Sequence, residues 1–450
     1  NYRSTTPFEY YTHYVELFVS KKVFVMGVSD FMSKLVIEGS RKLKGEVSVQ
    51  GAKNSILPIL AATLMCEGEC VIHRCPEISD VYVAIKILEH LGCKVSFDKN
   101  TIIVNSKNIS KNYIPHALMC EMRSSIIFLG ALISSLGKAK LSLPGGCELG
   151  PRPIDLHLEG LRQMGLRISE SHGFLECESS RAGLVGCNIG LSFPSVGATE
   201  NLILAAVKAR GTTIITNAAK EPEILDLVTF LNKCGAKIRC SHNGIIVVNG
   251  VDKLYATEHT VIPDRIVAVT YMAAAASTAG SLVINNFVES NMGSLMPVFE
   301  EAGCVMKMIS DNTLKIDAPE RPYFNRLIRT MPYPGFPTDA QAPVMAMSAI
   351  ADGTSVFVEN IFSNRYKHVG ELLRLGADIK VEDKVAVVEG VKKLSGAEVK
   401  AGDLRGAASL VVAGLGAEGT TQITGLSHID RGYEKLEENF SSIGAKIKRI

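Results

Sequence analysis

Six basic residues occupy places where a helix ordinarily disfavours them. Lys53, Arg123 and Arg405 stand 14 or 15 residues before a glycine that closes a helical apolar stretch. Arg152, Arg365 and Arg431 stand 13, 11 and 13 residues before a second set of such glycines. Those distances predict that all six sit near helix N-termini, about four turns upstream of each glycine in the first set. A helix N-terminus carries unpaired N–H groups and the positive end of the dipole, so a cation there is opposed unless an anion is also present. Taken together, the six point to an anion-binding cleft, and the planar arginine fork suits carboxylate and phosphate. Asn54, Ser195, Asp264, Arg265, Asp339 and Asp403 fall in the same phase. Ser195 and Asp264 read equally well as ordinary N-caps. The run PSVGAT at 194–199 is either such a cap or a turn offering the N–H groups of Ser195, Val196 and Gly197 to a diphosphate. Cys147 lies in PGGCELGPRP at 144–153, which is neither helix interior nor central strand but a loop. Neighbouring cations would lower the pKa of its thiol, which suits an acid or a nucleophile.

These residues are positioned by an internal repeat. A helical apolar stretch, a glycine and a β-branched strand recur with the glycine at 68, 137, 211, 280, 353 and 419. A second glycine, at 92, 165, 235, 303, 376 and 444, ends an amphipathic helix and precedes a strand hairpin. The unit is βαβαββ and is present six times. The sixth stops before its last strand, and two strand-like runs at 34–51 are expected to complete it, since an unpaired edge is a liability. The two ends of the folded chain then share a domain. The expected organisation is two three-unit domains, residues 53–261 and residues 32–52 plus 262–450, with chain crossings near 52 and 262. If the helices of each domain run parallel, their N-termini face one cleft between the domains.

Bulk properties narrow the function. A chain of 450 residues with 21% charged residues and a net charge of +2 reads as a soluble multidomain protein. It has no global field for nucleic acid or an anionic membrane. Eleven cysteines without framework spacing, and no signal peptide, point to reduced thiols in a cytoplasmic protein. Cys66, Cys70, His73 and Cys75 are the densest metal candidates. Strand alternation puts Cys70 and His73 on opposite faces, so no metal is expected. Residues 1–31 are rich in Tyr and Phe and differ from the rest, which places the natural start near Met32. Their apolar stretch is broken by Lys21 and Lys22 and is too short to span a bilayer. GLGAEG at 414–419 matches a dinucleotide pattern but precedes a strand, the reverse of that fingerprint.

The motifs GAKNSILPILAATL, MRSSI, LPGGCELGPRPIDLH, SVGATENLILAA, FPTDAQAP, FSNRYKHVGELLRLGA, DLRGAASLVVAG and HIDRGYEKLEE resemble the enolpyruvyl transferase family, in its branch of UDP-N-acetylglucosamine 1-carboxyvinyltransferases. The resemblance covers residues 32–450. It implies a two-domain inside-out α/β barrel and transfer of the enolpyruvyl group of phosphoenolpyruvate to the 3′-hydroxyl of UDP-N-acetylglucosamine. Phosphate is released through a tetrahedral intermediate, with no metal and no organic cofactor, as the first committed step of peptidoglycan synthesis. Protein partners are not implied. By motif, Lys53, Arg152 and Arg431 resemble the phosphoenolpyruvate clamp, with Arg365 and Arg405 closing around it. Asn54 resembles the residue that holds the sugar, and Arg123 lies near the substrates. Arg152, Pro153, Ile154, Asp155 and Leu156 resemble the segment along the nucleotide, with Ile361 beside it, and Ser195, Val196 and Gly197 resemble the diphosphate turn. Asp339 resembles the acceptor of the 3′-hydroxyl proton and Asp403 a proton relay. Cys147 resembles the loop cysteine that donates a proton, forms a phosphoenolpyruvate adduct and is alkylated by fosfomycin. Some members carry Lys where Phe193 stands here. Two other readings are a 3-phosphoshikimate 1-carboxyvinyltransferase-like enzyme and a non-catalytic UDP-sugar-binding repeat protein.

Overall fold

The structure is a computed structural model that describes residues 33–39, 41–142 and 154–450, with the backbone alone at residue 123. Six four-stranded sheets share one pattern. In the second unit, Tyr113–Ile114 pairs in parallel with Lys138–Ser142. That strand pairs antiparallel with Phe174–Glu178, which in turn pairs antiparallel with Arg167–Ser171. An inner helix joins the first two strands, and an outer helix, Asp155–Gln163, leads to the hairpin.

The inner helices form the interior because their sequences have no polar face to show. Every residue of Arg265–Ser277 (RIVAVTYMAAAAS) is buried, and it packs against the inner helices Thr338–Ser348 and Leu404–Gly416. Small side chains let these helix axes approach closely. The sheets lie outside and alternate, burying Cys70 and Ile72 while Glu69 faces water. Helices within and sheets without make each half an inside-out α/β barrel.

The repeat glycines adopt left-handed φ; most of the first set lie just before the strand, and those of the second set close helices, as at Gly92 with φ of 107°. A Cβ there would lie 2.5 Å from the Asn108 carbonyl oxygen. Gly280 is the exception. The left-handed residue is its neighbour Ala279 (φ 49°), and Gly280 is needed because a Cβ would meet the Leu43 carbonyl at 2.8 Å.

The N-terminal strands depart from the expectation. Leu35–Glu38 does complete the sixth unit, lying between Thr420–Thr424 and Lys446–Arg449. Lys44–Ser48 does not; it pairs in parallel with Ser281–Asn285 of the fourth unit. Correspondingly, Glu258–Thr260 pairs with Val71–His73 of the first unit. The leading strands of units one and four are thus exchanged. The reason lies in where the chain crosses, between each leading strand and its inner helix. The strand stays in the sheet of the half being left, and the helix enters the other. Buried apolar side chains accordingly form two clusters, one from Ala52 to Val261, the other from Leu35 to Val49 and Ile266 to Ile447.

Candidate active site

The two crossings run side by side. Ala52 N–H donates to Ile262 O (2.8 Å) and Asp264 N–H to Gln50 O (2.9 Å). This sets the inner helices of units one and four start to start. Asp264 caps both: its carboxylate accepts from Ile266 N (2.9 Å), Val267 N (3.2 Å) and Lys53 N (3.2 Å). The cap reading of Asp264 therefore holds, with a second helix added. Behind Lys53, buried Asp226 accepts from the Ser55 hydroxyl, from Ile262 N (3.2 Å) and from His259 Nε2 (2.9 Å).

Lys53 opens its helix and is buried, and its Nζ lies 2.6 Å from Asp80 Oδ2. Arg431 reaches the same carboxylate from the other half, with Nε at 2.9 Å from Oδ1. Burial pushes the Lys53 pKa down, Asp80 pushes it up, and Arg431 and Arg405 push it down. Burial alone would raise the pKa of Asp80, but Lys53 and Arg431 together hold it below its ordinary value. Arg431 corrects the dipole argument. It is the C-cap of the short helix Ser427–Asp430, where a cation is favoured, not the start of Leu436–Ser442.

A second cluster forms around Asp339, in the first turn of Thr338–Ser348. Its carboxylate accepts from Arg405 Nη2 (3.0 Å) and Arg365 Nη2 (3.1 Å). Exposure orders the three. The arginine side chains are 4% and 2% accessible and Asp339 is 29%, so the acid reaches solvent and the cations stand behind it. Arg405 also faces the ring of buried Tyr433, whose hydroxyl bonds Thr270 Oγ1 at 2.8 Å. Asp403 caps its helix through Arg405 N (3.0 Å) and Gly406 N (3.1 Å) and lies 3.9 Å from Arg365. His368 donates its Nδ1–H to the Arg365 carbonyl (3.1 Å). Burial lowers its pKa to about 4, with Asp403 opposing and Arg365 assisting, so its ring is neutral at pH 7. Ile361 is half-buried, and its N–H donates to buried Glu359 (2.8 Å), which also takes the Thr338 hydroxyl.

On the first half, Ser195 caps Val196–Ala206 by accepting from Ala198 N at 3.4 Å. Val196 and Gly197 are half-buried at that helix start. A Cβ on Gly197 would lie 3.2 Å from the His157 ring. His157 Nδ1 accepts from Asn201 Nδ2 (2.9 Å), and burial lowers its pKa to about 4. Ile154, Asp155 and Leu156 open the outer helix Asp155–Gln163. Asn54 is half-buried beside Lys53, and Phe193 is exposed. Arg123 begins the 3₁₀ turn Arg123–Ile127 that leads into Phe128–Leu136. Cys147, Arg152 and Pro153 lie outside the described residues.

Sequence reasoning missed Asp80, Glu359 and Tyr433. Asp80 was findable, since it stands 12 residues before Gly92, in phase with Arg152, Arg365 and Arg431. Of the metal candidates, Cys66 and Cys70 are buried. His73 points the other way, to Glu258 (2.6 Å) and Thr101 (3.1 Å).

The inside-out barrel, with four cations gathered around one sealed and one more exposed carboxylate, is shared with the enolpyruvyl transferases. Residues 37–440 match the family model of EPSP synthase (3-phosphoshikimate 1-carboxyvinyltransferase), and the chain belongs to that family. Within it, the chain is 53% identical to the UDP-N-acetylglucosamine 1-carboxyvinyltransferase 2 of Caldanaerobacter subterraneus, over 93% of this chain and all of that one. It is 47% identical to the UDP-N-acetylglucosamine 1-carboxyvinyltransferase 1 of Carboxydothermus hydrogenoformans, over 93% of this chain and 99% of that one. Among solved structures, the enolpyruvyl transferase NikO of Streptomyces tendae superposes with a TM-score of 0.84 at 25% identity, covering 93% of this chain and 98% of that one. The EPSP synthase of Acinetobacter baumannii shares the fold, with a TM-score of 0.70 at 18% identity over 93% and 100% of the two chains.

Proposed function

We propose that this protein transfers the enolpyruvyl group of phosphoenolpyruvate to the 3′-hydroxyl of UDP-N-acetylglucosamine, releasing phosphate, as the committed step of peptidoglycan synthesis in the cytoplasm. The observation that carries the reading is Asp339, a solvent-accessible carboxylate whose orientation two buried guanidinium groups fix. Such a group can take a hydroxyl proton from a substrate in front of it. The 53% identity to a UDP-N-acetylglucosamine 1-carboxyvinyltransferase selects the acceptor.

In this reading Lys53, Arg431 and Arg152 hold phosphoenolpyruvate, and Arg365 and Arg405 close around it. Ser195, Val196 and Gly197 take the diphosphate, and Arg152 to Leu156 and Ile361 run along the nucleotide. Asn54 holds the sugar, with Arg123 nearby. Asp339 removes the 3′-hydroxyl proton as the oxygen attacks C2 of phosphoenolpyruvate, and Cys147 gives a proton to the C3 methylene. The resulting tetrahedral ketal then loses a C3 proton and phosphate, with Asp403 relaying the proton. Fixed cations stabilise the charge that develops on the departing phosphate. Among the described residues no helix is long and apolar enough to cross a membrane.

Phosphate release from phosphoenolpyruvate, measured with UDP-N-acetylglucosamine and separately with shikimate 3-phosphate, tests the reading. Release with the nucleotide sugar alone is expected. Release only with shikimate 3-phosphate overturns the acceptor, and none with either favours a non-catalytic UDP-sugar binder.

A further inference from the structure

We propose that Asp80 is a positioning residue of the phosphoenolpyruvate site, joining Lys53 and Arg431 from the two halves into one cation pair. The proposal rests on the functional reading above. Asp80 is 1% exposed and bound by the Lys53 ammonium at 2.6 Å and the Arg431 guanidinium at 2.9 Å. A plainer role is open to an acid in the first turn of Ser79–Leu91, namely stabilising that helix's own dipole. The geometry argues against that as the whole account. Both carboxylate oxygens are engaged by side-chain cations, one of which arrives from the opposite half of the molecule.

The charges around Lys53 explain why a carboxylate is required there. Arg431 and Arg405 face it with like charge, and Asp264 accepts its backbone N–H while capping the fourth-unit helix. Asp80 is the acid paired with its ammonium. Burial and both arginines favour loss of the Lys53 proton, and Asp80 opposes it. Without Asp80 the Lys53 pKa loses the one influence that raises it, and Arg431, whose side chain is 33% exposed, would lose the anchor that holds it to the other half. One carboxylate therefore does two things. It keeps Lys53 cationic, and it sets the spacing of two cations on different halves. Phosphoenolpyruvate, with a carboxylate and a phosphate, needs two such charges at a fixed separation.

The test compares wild type with Asp80→Asn and Asp80→Glu, following phosphate release from pH 6 to 9 and UDP-N-acetylglucosamine binding by calorimetry. For Asp80→Asn, KM for phosphoenolpyruvate should rise about 10²-fold at pH 7, since one partner of a buried ion pair is removed. It should rise further toward pH 9 as Lys53 deprotonates, while the wild-type value stays flatter. Nucleotide affinity should stay within about twofold, because Ser195, Val196, Gly197 and Ile361, assigned to the diphosphate and nucleotide, lie on other elements, and the Asp80 carboxylate is held by Lys53 and Arg431 rather than by Asn54. Asp80→Glu should recover part of the loss, since it restores the charge. An unchanged KM at every pH, or an equal loss for both substrates in folded Asp80→Asn, overturns the proposal. A measurement on wild type covers the case in which the variants do not fold. Reductive methylation of Lys53, read by mass spectrometry against pH, reports its ammonium directly. Lys53 still charged at pH 8 supports the Asp80 pairing, and Lys53 neutral below pH 7 overturns it. That readout needs no turnover, so it separates failure of this inference from failure of the functional reading.

Discussion

At the scale of single residues, the site is a problem in keeping like charges together. Lys53, Arg431, Arg405 and Arg365 are held by two carboxylates, Asp80 and Asp339, that differ in exposure. Asp80 is sealed and can only hold, whereas Asp339 is accessible to solvent, as its proposed role as a base requires. If the Cys147 thiol is the acid of the addition step, Cys147→Ala should lower kcat about 10²- to 10⁴-fold and leave UDP-N-acetylglucosamine binding intact. The check is phosphate release alongside nucleotide titration, and normal turnover by the variant would sink the assignment. Fosfomycin should inactivate wild type and add its mass to the peptide carrying Cys147. No adduct at saturating drug would count against a reactive thiol there.

At the scale of elements, helix starts hold Lys53, Asp339, Arg365 and Arg405, and the carboxylates of Asp264 and Asp403 cap inner helices. Asp264 serves the inner helices of units one and four with one side chain, so its loss exposes N–H groups on both sides of the crossing. Asp264→Ala should cost about 1–2 kcal/mol or more, the upper range for a single cap, because two helices are affected. Urea denaturation followed by circular dichroism measures it, and a midpoint equal to wild type would mean that water replaces the carboxylate at no cost. The start of Val196–Ala206 packs against His157, whose burial puts its pKa near 4 against an ordinary 6.5. The unfolded chain then binds more protons than the folded one between those values. Its contribution is intact above pH 6.5 and is lost as pH falls toward 4. His157→Gln should therefore flatten the acid limb of the stability curve between pH 4 and 6.5 relative to wild type. Identical slopes would show that His157 does not titrate between the two states.

At the scale of the molecule, two halves are tied by exchanged strands, paired crossings and ion pairs. Arg265 of one half meets Glu223 of the other at 3.1 Å, both buried, while Arg431 meets Asp80. The strand Leu35–Glu38 closes the sixth sheet, with Ile37 fully buried between Thr421 and Ile447. Ile37→Ala should cost about 2–5 kcal/mol as a core cavity, read as a lowered urea midpoint. An effect no larger than that of a surface substitution would mean that the sixth sheet holds without its borrowed strand.

The sequence by itself determined the six units, their βαβαββ order and the phase in which chemical residues recur. Each of these is a local property: apolar period, a glycine at a helix end, a hairpin turn. It placed Lys53, Arg365, Arg405 and Asp339 near helix starts, because about four turns of helix is a distance countable along the chain. Three things were decided only in three dimensions. Lys44–Ser48 went to the fourth sheet rather than the sixth, whose parallel edge is already filled by Glu398–Lys400, and local pattern does not record which edge is open. Arg431 became the cap of a four-residue helix too short to leave a periodic signal. Asp80 became the link between the halves because its partners lie 27 residues before it and 351 after it. An ion pair is set by proximity in space, and nothing along the chain records that distance until the crossings bring the two halves together.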